Sequence, residues 1–123
     1  QLAKATIRQA LNETDMEIYR VQMDEEIIPL ALYKNDHNLP LDDYEKYNLN
    51  LYNTFNFRDF DNSYYQYRIG LFEQNDWLAY RRIIKSLLRD STVIKMWDKG
   101  NHAFSKEFKL EVELIRKEIT HIP

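Results

Sequence analysis

The sequence predicts an all-α fold, a single-domain bundle of five or six helices around a long central helix at about residues 42–69. Three observations carry this. The stretch from Asp42 to Ile69 holds neither Pro nor Gly, and its aromatic residues recur at helical spacing. The 123 residues include only two Gly and three Pro, enough to punctuate a few long helices and too few for the turns of a sheet protein. Elsewhere the apolar residues return every three or four positions, the period of a helix with one buried face.

In chain order, residues 2–22 read as the first helix, with Leu2, Ile7, Leu11, Ile18 and Val21 among good helix formers. Asn12, Glu13, Thr14 and Asp15 place a polar belt across its middle. Asp24 is a candidate cap for a short second helix, with Glu25 and Glu26 in the first turn, where the helix dipole favours acids. Pro29 either kinks that helix or delays its start. Residues 35–40, Asn-Asp-His-Asn-Leu-Pro, form the clearest loop.

The central helix follows, its first turn led by Asp42 and Asp43. At 100° per residue Tyr44, Tyr47, Leu51, Phe55, Tyr65 and Ile69 share one face. Leu49, Phe57, Phe60, Tyr64 and Tyr67 fall on or near the opposite one. A helix apolar on two sides belongs inside a bundle. Gly70 suits a left-handed terminator. Asn75 or Asp76 is expected to cap a fourth helix through about Leu88, with Trp77, Tyr80, Ile83, Ile84, Leu87 and Leu88 inward and Arg81, Arg82, Lys85 and Arg89 outside. Asp90-Ser91 begins a short fifth helix, Thr92 to Asp98, with Val93, Ile94, Met96 and Trp97, and Lys99-Gly100-Asn101 breaks it. Ser105 caps the last helix, where Phe108, Val112, Ile115 and Ile119 form a stripe flanked by Leu110 and Leu114.

Charge and composition exclude several functions. Net charge is −3 with mixed signs, which counts against a nucleic-acid binder driven by a basic surface. The absence of cysteine removes disulfides, thiolate metal sites and thiol nucleophiles. His37, His102 and His121 lie far apart and outside any metal-binding spacing, so no metal is expected. No nucleophile elbow or phosphate loop is present, and Asp59 and Asp61 diverge around Phe60, so no catalytic residue and no cofactor is assigned. The Tyr64-Tyr65-Gln66-Tyr67 run lacks basic neighbours and reads as core rather than as a base-stacking platform. The basic run Arg81, Arg82, Lys85 and Arg89 reads as a solvated face.

One polar constellation stands out. Arg58 and Asn62 lie one turn apart on the stripe of Leu51, Phe55 and Tyr65, so both should point inward. A buried guanidinium is costly unless paired, and Glu13, Asp15 or Glu17 of the first helix are the candidate partners. The preferred reading is an internal ion-pair network that fixes helix register. The alternative is a small anionic-ligand pocket, in a binding domain or an enzyme, floored by Arg58, Asn62 and Tyr65.

The segment Asn56-Phe57-Arg58-Asp59-Phe60-Asp61-Asn62-Ser63-Tyr64-Tyr65-Gln66-Tyr67, with Gly70-Leu71, Trp77, Arg8-Gln9-Ala10, Met96-Trp97 and Phe104-Ser105, resembles a family of uncharacterised bacterial proteins with no assigned activity. In that family one N-terminal transmembrane helix precedes a small helical domain. The resemblance implies that Gln1, which begins the chain without Met and already in helical pattern, follows a membrane anchor. Lys4 and Arg8 would then be its flanking positive charges and place the domain on the cytoplasmic side of an inner membrane. The expected function is a non-enzymatic, membrane-tethered helical interaction domain that contacts another protein. Self-pairing along the Leu2, Ile7 and Leu11 stripe offers a route to a homodimer.

Overall fold

The computed structural model describes residues 2–120. They form six α-helices and no strand: α1 (Leu2–Gln22), α2 (Ile28–Asp36), α3 (Asp43–Arg68), α4 (Gln74–Leu87), α5 (Ser91–Gly100) and α6 (Lys106–Thr120). A 3-10 turn at Asn101–Ala103 joins α5 to α6. The all-α bundle around a long central helix is thus the observed fold. With 26 residues α3 runs about 39 Å, and it packs against all five other helices.

The ends of α3 follow local chemistry. Asp42 is its N-cap: the carboxylate accepts the Glu45 amide at 2.8 Å, while the Glu45 carboxylate accepts the Asp42 amide at 2.9 Å. This reciprocal box satisfies two amides that a helix start leaves orphaned. At the other end Gly70 adopts φ +83°, where Leu71 donates to the Gln66 carbonyl at 2.8 Å and Gly70 to that of Tyr67 at 3.1 Å. That left-handed turn closes the last carbonyls, and a Cβ there would be strained.

Other boundaries differ from the expected ones. Pro29 lies in the first turn of α2 and delays its start to Ile28. Asp24 therefore does not cap α2. Its carboxylate accepts the Glu26 amide at 3.0 Å and the Tyr44 hydroxyl at 2.8 Å, and its own amide donates to Asn48. Residue 73, not Asn75 or Asp76, precedes α4, and Glu73 makes no side-chain cap bond. Helix α5 begins at Asp90-Ser91 as expected, the Asp90 carboxylate accepting the Thr92 amide at 2.8 Å, but it continues through Gly100 rather than breaking at Lys99. Ser105 caps α6 as expected, its hydroxyl accepting the Phe108 amide at 3.3 Å.

The core lies on the second half of α3. Phe57 and Phe60 meet Trp77 and Ile84 of α4, Val93, Met96 and Trp97 of α5, and Phe104, Phe108, Val112 and Ile115 at α6. Trp97 is fully buried, with its ring centroid 5.1–5.8 Å from those of Phe57, Phe104 and Phe108, and its indole nitrogen donates to Glu113 at 3.1 Å. Tyr64 and Tyr67 flank Trp77, so the tyrosine run joins the core rather than a stacking surface. Several expected inward residues are instead exposed, Tyr44, Tyr47 and Ile83, as are Leu110 and Leu114 beside the stripe of α6.

Helix α1 departs furthest from expectation. Ala5 is its only buried residue. The face toward α3 carries Arg8, Asn12, Met16 and Tyr19, half-buried, and leaves Leu2, Ile7, Leu11, Ile18 and Val21 exposed.

Candidate functional site

The candidate site is the seam between α1 and the middle of α3. Its centre is Asp61, buried on α3, whose carboxylate accepts from the Arg8 guanidinium at 3.1 Å, from the Ser105 hydroxyl at 2.7 Å and from the Ser105 amide at 3.0 Å. One carboxylate therefore ties α1, α3 and the start of α6 together. Arg8 also lies over the Tyr65 ring at 4.4 Å, which explains why that tyrosine borders the seam. One turn along, Asn62 donates to the Gln9 carboxamide oxygen at 2.7 Å, and Gln9 in turn donates to Glu13 at 3.1 Å.

Arg58 is half-buried, and among the described residues no carboxylate comes within 4.0 Å of its guanidinium. Its charge rests on aromatic faces instead, 5.2 Å from the Phe104 centroid and 6.0 Å from that of Tyr19, while its Nε is buried without a partner. Asp15 lines the same small cleft of about 370 Å³, together with Arg8, Asp61 and Ser105. Glu17 pairs on the surface with Arg20 at 3.6 Å. Asn62 and Tyr65 do not line that cleft. The structure thus brings Arg58 and Asp15 together, holds Asn62 and Tyr65 in the adjoining seam, and leaves Glu13 and Glu17 outside. The ion pair that joins α1 to α3 is Arg8–Asp61, not one made by Arg58.

Two further networks carry charge between helices. Arg81, expected on the solvent face, donates to Glu111 at 3.2 Å and to Glu118 at 3.0 Å, fastening α4 to α6. Its hydrogen bond with Glu118 holds that carboxyl below the usual range. Lys34 of α2 reaches the buried Glu45 at 2.8 Å, and this bond, with the Asp42 amide, lowers the Glu45 pKa. Asp59 goes the other way: burial raises its carboxyl pKa.

The sequence singled out Arg58 and missed Arg8 and Asp61. Asp61 follows Arg58 by three positions, about 60° around the helix, so it belongs to the same inward sector. Arg8 interrupts the apolar residues of α1, and both signals were present.

No family model, no curated protein and no solved structure matches this chain. The resemblance to an anchored bacterial family is therefore not sustained. Among the described residues no helix is long and apolar enough to cross a membrane, so the inner-membrane placement drawn from that resemblance falls with it. Gln1 and His121 lie outside the described residues.

Proposed function

We propose that this domain is a non-enzymatic helical interaction module that assembles with a second copy of itself along the outer face of α1. One observation carries the reading. Ile7, Leu11, Thr14, Ile18 and Val21 follow one another by four, three, four and three positions, the spacing of a coiled-coil seam. The four apolar members remain 61%, 63%, 53% and 76% exposed. Burying a Val, Leu or Ile side chain fully is worth about 1.5–3 kcal/mol, so the half or more still exposed represents roughly 1–2 kcal/mol each. Eight such side chains in a pair give on the order of 8–16 kcal/mol before association costs of about 4–15 kcal/mol. The balance describes a weak, concentration-dependent dimer.

Charge selects the antiparallel arrangement. Lys4 stands at the start of the outer face, and Glu13 and Glu17 in its second half. Antiparallel pairing layers Ile7 on Ile18 and Leu11 on Thr14 of the second copy, and brings Lys4 within reach of the opposing Glu17. Parallel pairing sets the acids of both copies at one height, where they repel.

Sedimentation across low to high micromolar concentration tests the dimer. Leu11→Glu with Ile18→Glu should hold the chain monomeric without loss of helix content. The cysteine-free sequence makes orientation readable: a mixture of Ile7→Cys and Ile18→Cys chains should cross-link to each other, and Ile7→Cys alone should not. A wild-type monomer throughout, or self-linking of Ile7→Cys, refutes the reading.

A second reading, a small-anion site, is favoured by the Arg58 Nε that lies buried and unpartnered beside the cleft shared with Arg8. Asp15 and Asp61 in that cleft offset its positive charge, which ranks it below assembly. Sulfate binding that disappears in Arg58→Met would establish it, and no binding would eliminate it.

A further inference from the structure

The first half of α3 and the length of α5 leave a groove of about 830 Å³ between them, lined also by Leu39 and Leu41 of the preceding loop. It is separate from α1 and from the Asp61 seam. Its volume falls in the range of small-molecule sites, about 300–1,000 Å³. Along α3 it is lined by Asp43, Lys46 and Tyr47, and along α5 by Lys95, Met96 and Lys99. Three lysines and one aspartate thus line the groove, in a chain whose net charge is −3. None of the three lysines forms an ion pair among the described residues, so their charge is available to a ligand. The floor is apolar: Met96 is buried, while Tyr47, on the α3 wall, keeps 52% of its surface exposed with no core contact to account for it.

The cations are all lysines. Guanidinium groups suit flat, bidentate carboxylate recognition, whereas several mobile ammonium point charges converge well on a tetrahedral dianion. An apolar floor and an exposed phenol ring beside them suit a flat organic body. From this juxtaposition we propose that the groove between α3 and α5 binds a small organic phosphate monoester, its phosphate held by Lys46, Lys95 and Lys99 and its apolar body laid on Tyr47 and Met96. A long polyanion fits less well, because the groove gathers only three of the 17 Lys and Arg residues of an acidic chain.

Amide NMR titration of the chain with phenyl phosphate at low ionic strength tests this, with inorganic phosphate, benzyl alcohol and a short single-stranded RNA as parallel arms. The expected result is saturable shifts at Tyr47, Lys95, Met96 and Lys99, with phenyl phosphate binding more tightly than either inorganic phosphate or benzyl alcohol. Lys95→Glu with Lys99→Glu should weaken phenyl phosphate at least about tenfold and leave the thermal melt unchanged, since both side chains are exposed. Tyr47→Ala should weaken phenyl phosphate but not inorganic phosphate. The proposal is overturned if the groove amides do not move, if inorganic phosphate binds as tightly as phenyl phosphate, or if the shifts centre on Arg58. Tighter, multi-site binding of the RNA would overturn it in favour of a polyanion surface.

Discussion

Removing the Arg8–Asp61 pair should loosen α1 while the rest of the bundle stays folded. Only Ala5 of that helix is buried, so its attachment rests largely on polar contacts: Arg8 to Asp61, Asn62 to Gln9, and the guanidinium–ring contacts of Arg8 with Tyr65 and Arg58 with Tyr19. A charge-assisted hydrogen bond contributes about 1.5–3 kcal/mol when its partner is left buried. The Asp61 side chain is 8% exposed and that of Arg8 34%, so water compensates part of the loss and about 2 kcal/mol is the reasonable figure. Arg8→Met should therefore raise hydrogen exchange of the α1 amides roughly 30-fold. Amides of α4 and α5 should keep their protection, because the aromatic core does not include α1. Asp61→Asn should show the same α1 effect and also disturb the first turn of α6, where Ser105 loses its charged acceptor. In the double variant the α1 losses should fall short of their sum, as coupled partners do. Strictly additive losses, or uniform loss of protection across all six helices, would refute the idea that this pair holds α1 locally.

Trp97→Ala should cost about 3–5 kcal/mol, the range for truncating a fully buried aromatic, and thermal melting would show it as the largest loss among single core truncations. Arg58→Met should cost no more than about 1 kcal/mol, the worth of its contacts with Phe104 and Tyr19, because it leaves behind no ion-paired acid; a drop of 3 kcal/mol or more on urea unfolding would mean an undetected partner. Glu45, Asp98, Glu118 and Asp24 all have folded-state pKa values below the ordinary range, set chiefly by hydrogen bonds from Lys34, Arg116, Arg81 and Tyr44. Their stabilisation is complete above the unfolded carboxylate pKa and is lost as pH falls through the folded values, so the melting temperature should decline below about pH 5. Asp59 has the opposite sign: burial raises its folded pKa, so Asp59→Asn should stabilise the chain at pH 7, by under about 1 kcal/mol for a half-exposed group, and the gain should vanish once acid protonates the wild-type carboxyl.

The helices were legible because their signals are local. Asp42 with Glu45, Gly70 after Arg68, and Ser105 before Lys106 each announce an end through backbone chemistry within a few residues. The site was legible only as a sector. Periodicity places Arg58, Asp61 and Asn62 on the buried side of α3, but it does not say which cation arrives from 53 residues away. Arg58 drew attention because it interrupts an aromatic stripe, and it solved its burial with ring faces rather than a carboxylate. Arg81 shows the same gap: it stands among outward lysines and arginines, yet α6 supplies Glu111 and Glu118 from 30 and 37 residues on. The outer face of α1 was visible as an apolar stripe, but nothing in the sequence shows that the opposite, polar face would be the one to dock.

In the proposed dimer that inversion would link the docking of α1 to assembly. An amphipathic surface helix ordinarily buries its apolar stripe and exposes its charges. Here α1 turns Arg8, Asn12 and Tyr19 toward α3 and leaves Ile7, Leu11, Ile18 and Val21 in water. A helix with a single buried side chain, attached largely through polar contacts, should open often, and opening removes the surface that a second copy needs. A second copy that binds only docked α1 must stabilise docking by the same free energy that docking lends to binding. Exchange of α1 amides should therefore slow as concentration rises through the dimerisation range, while core amides stay unchanged. In Arg8→Met the dimer should weaken although residue 8 lies outside the apolar seam, and high concentration should restore part of the lost protection. If α1 exchange is independent of concentration in a chain that sedimentation shows to dimerise, the contact lies on another face, and the exposed stripe has no part in it.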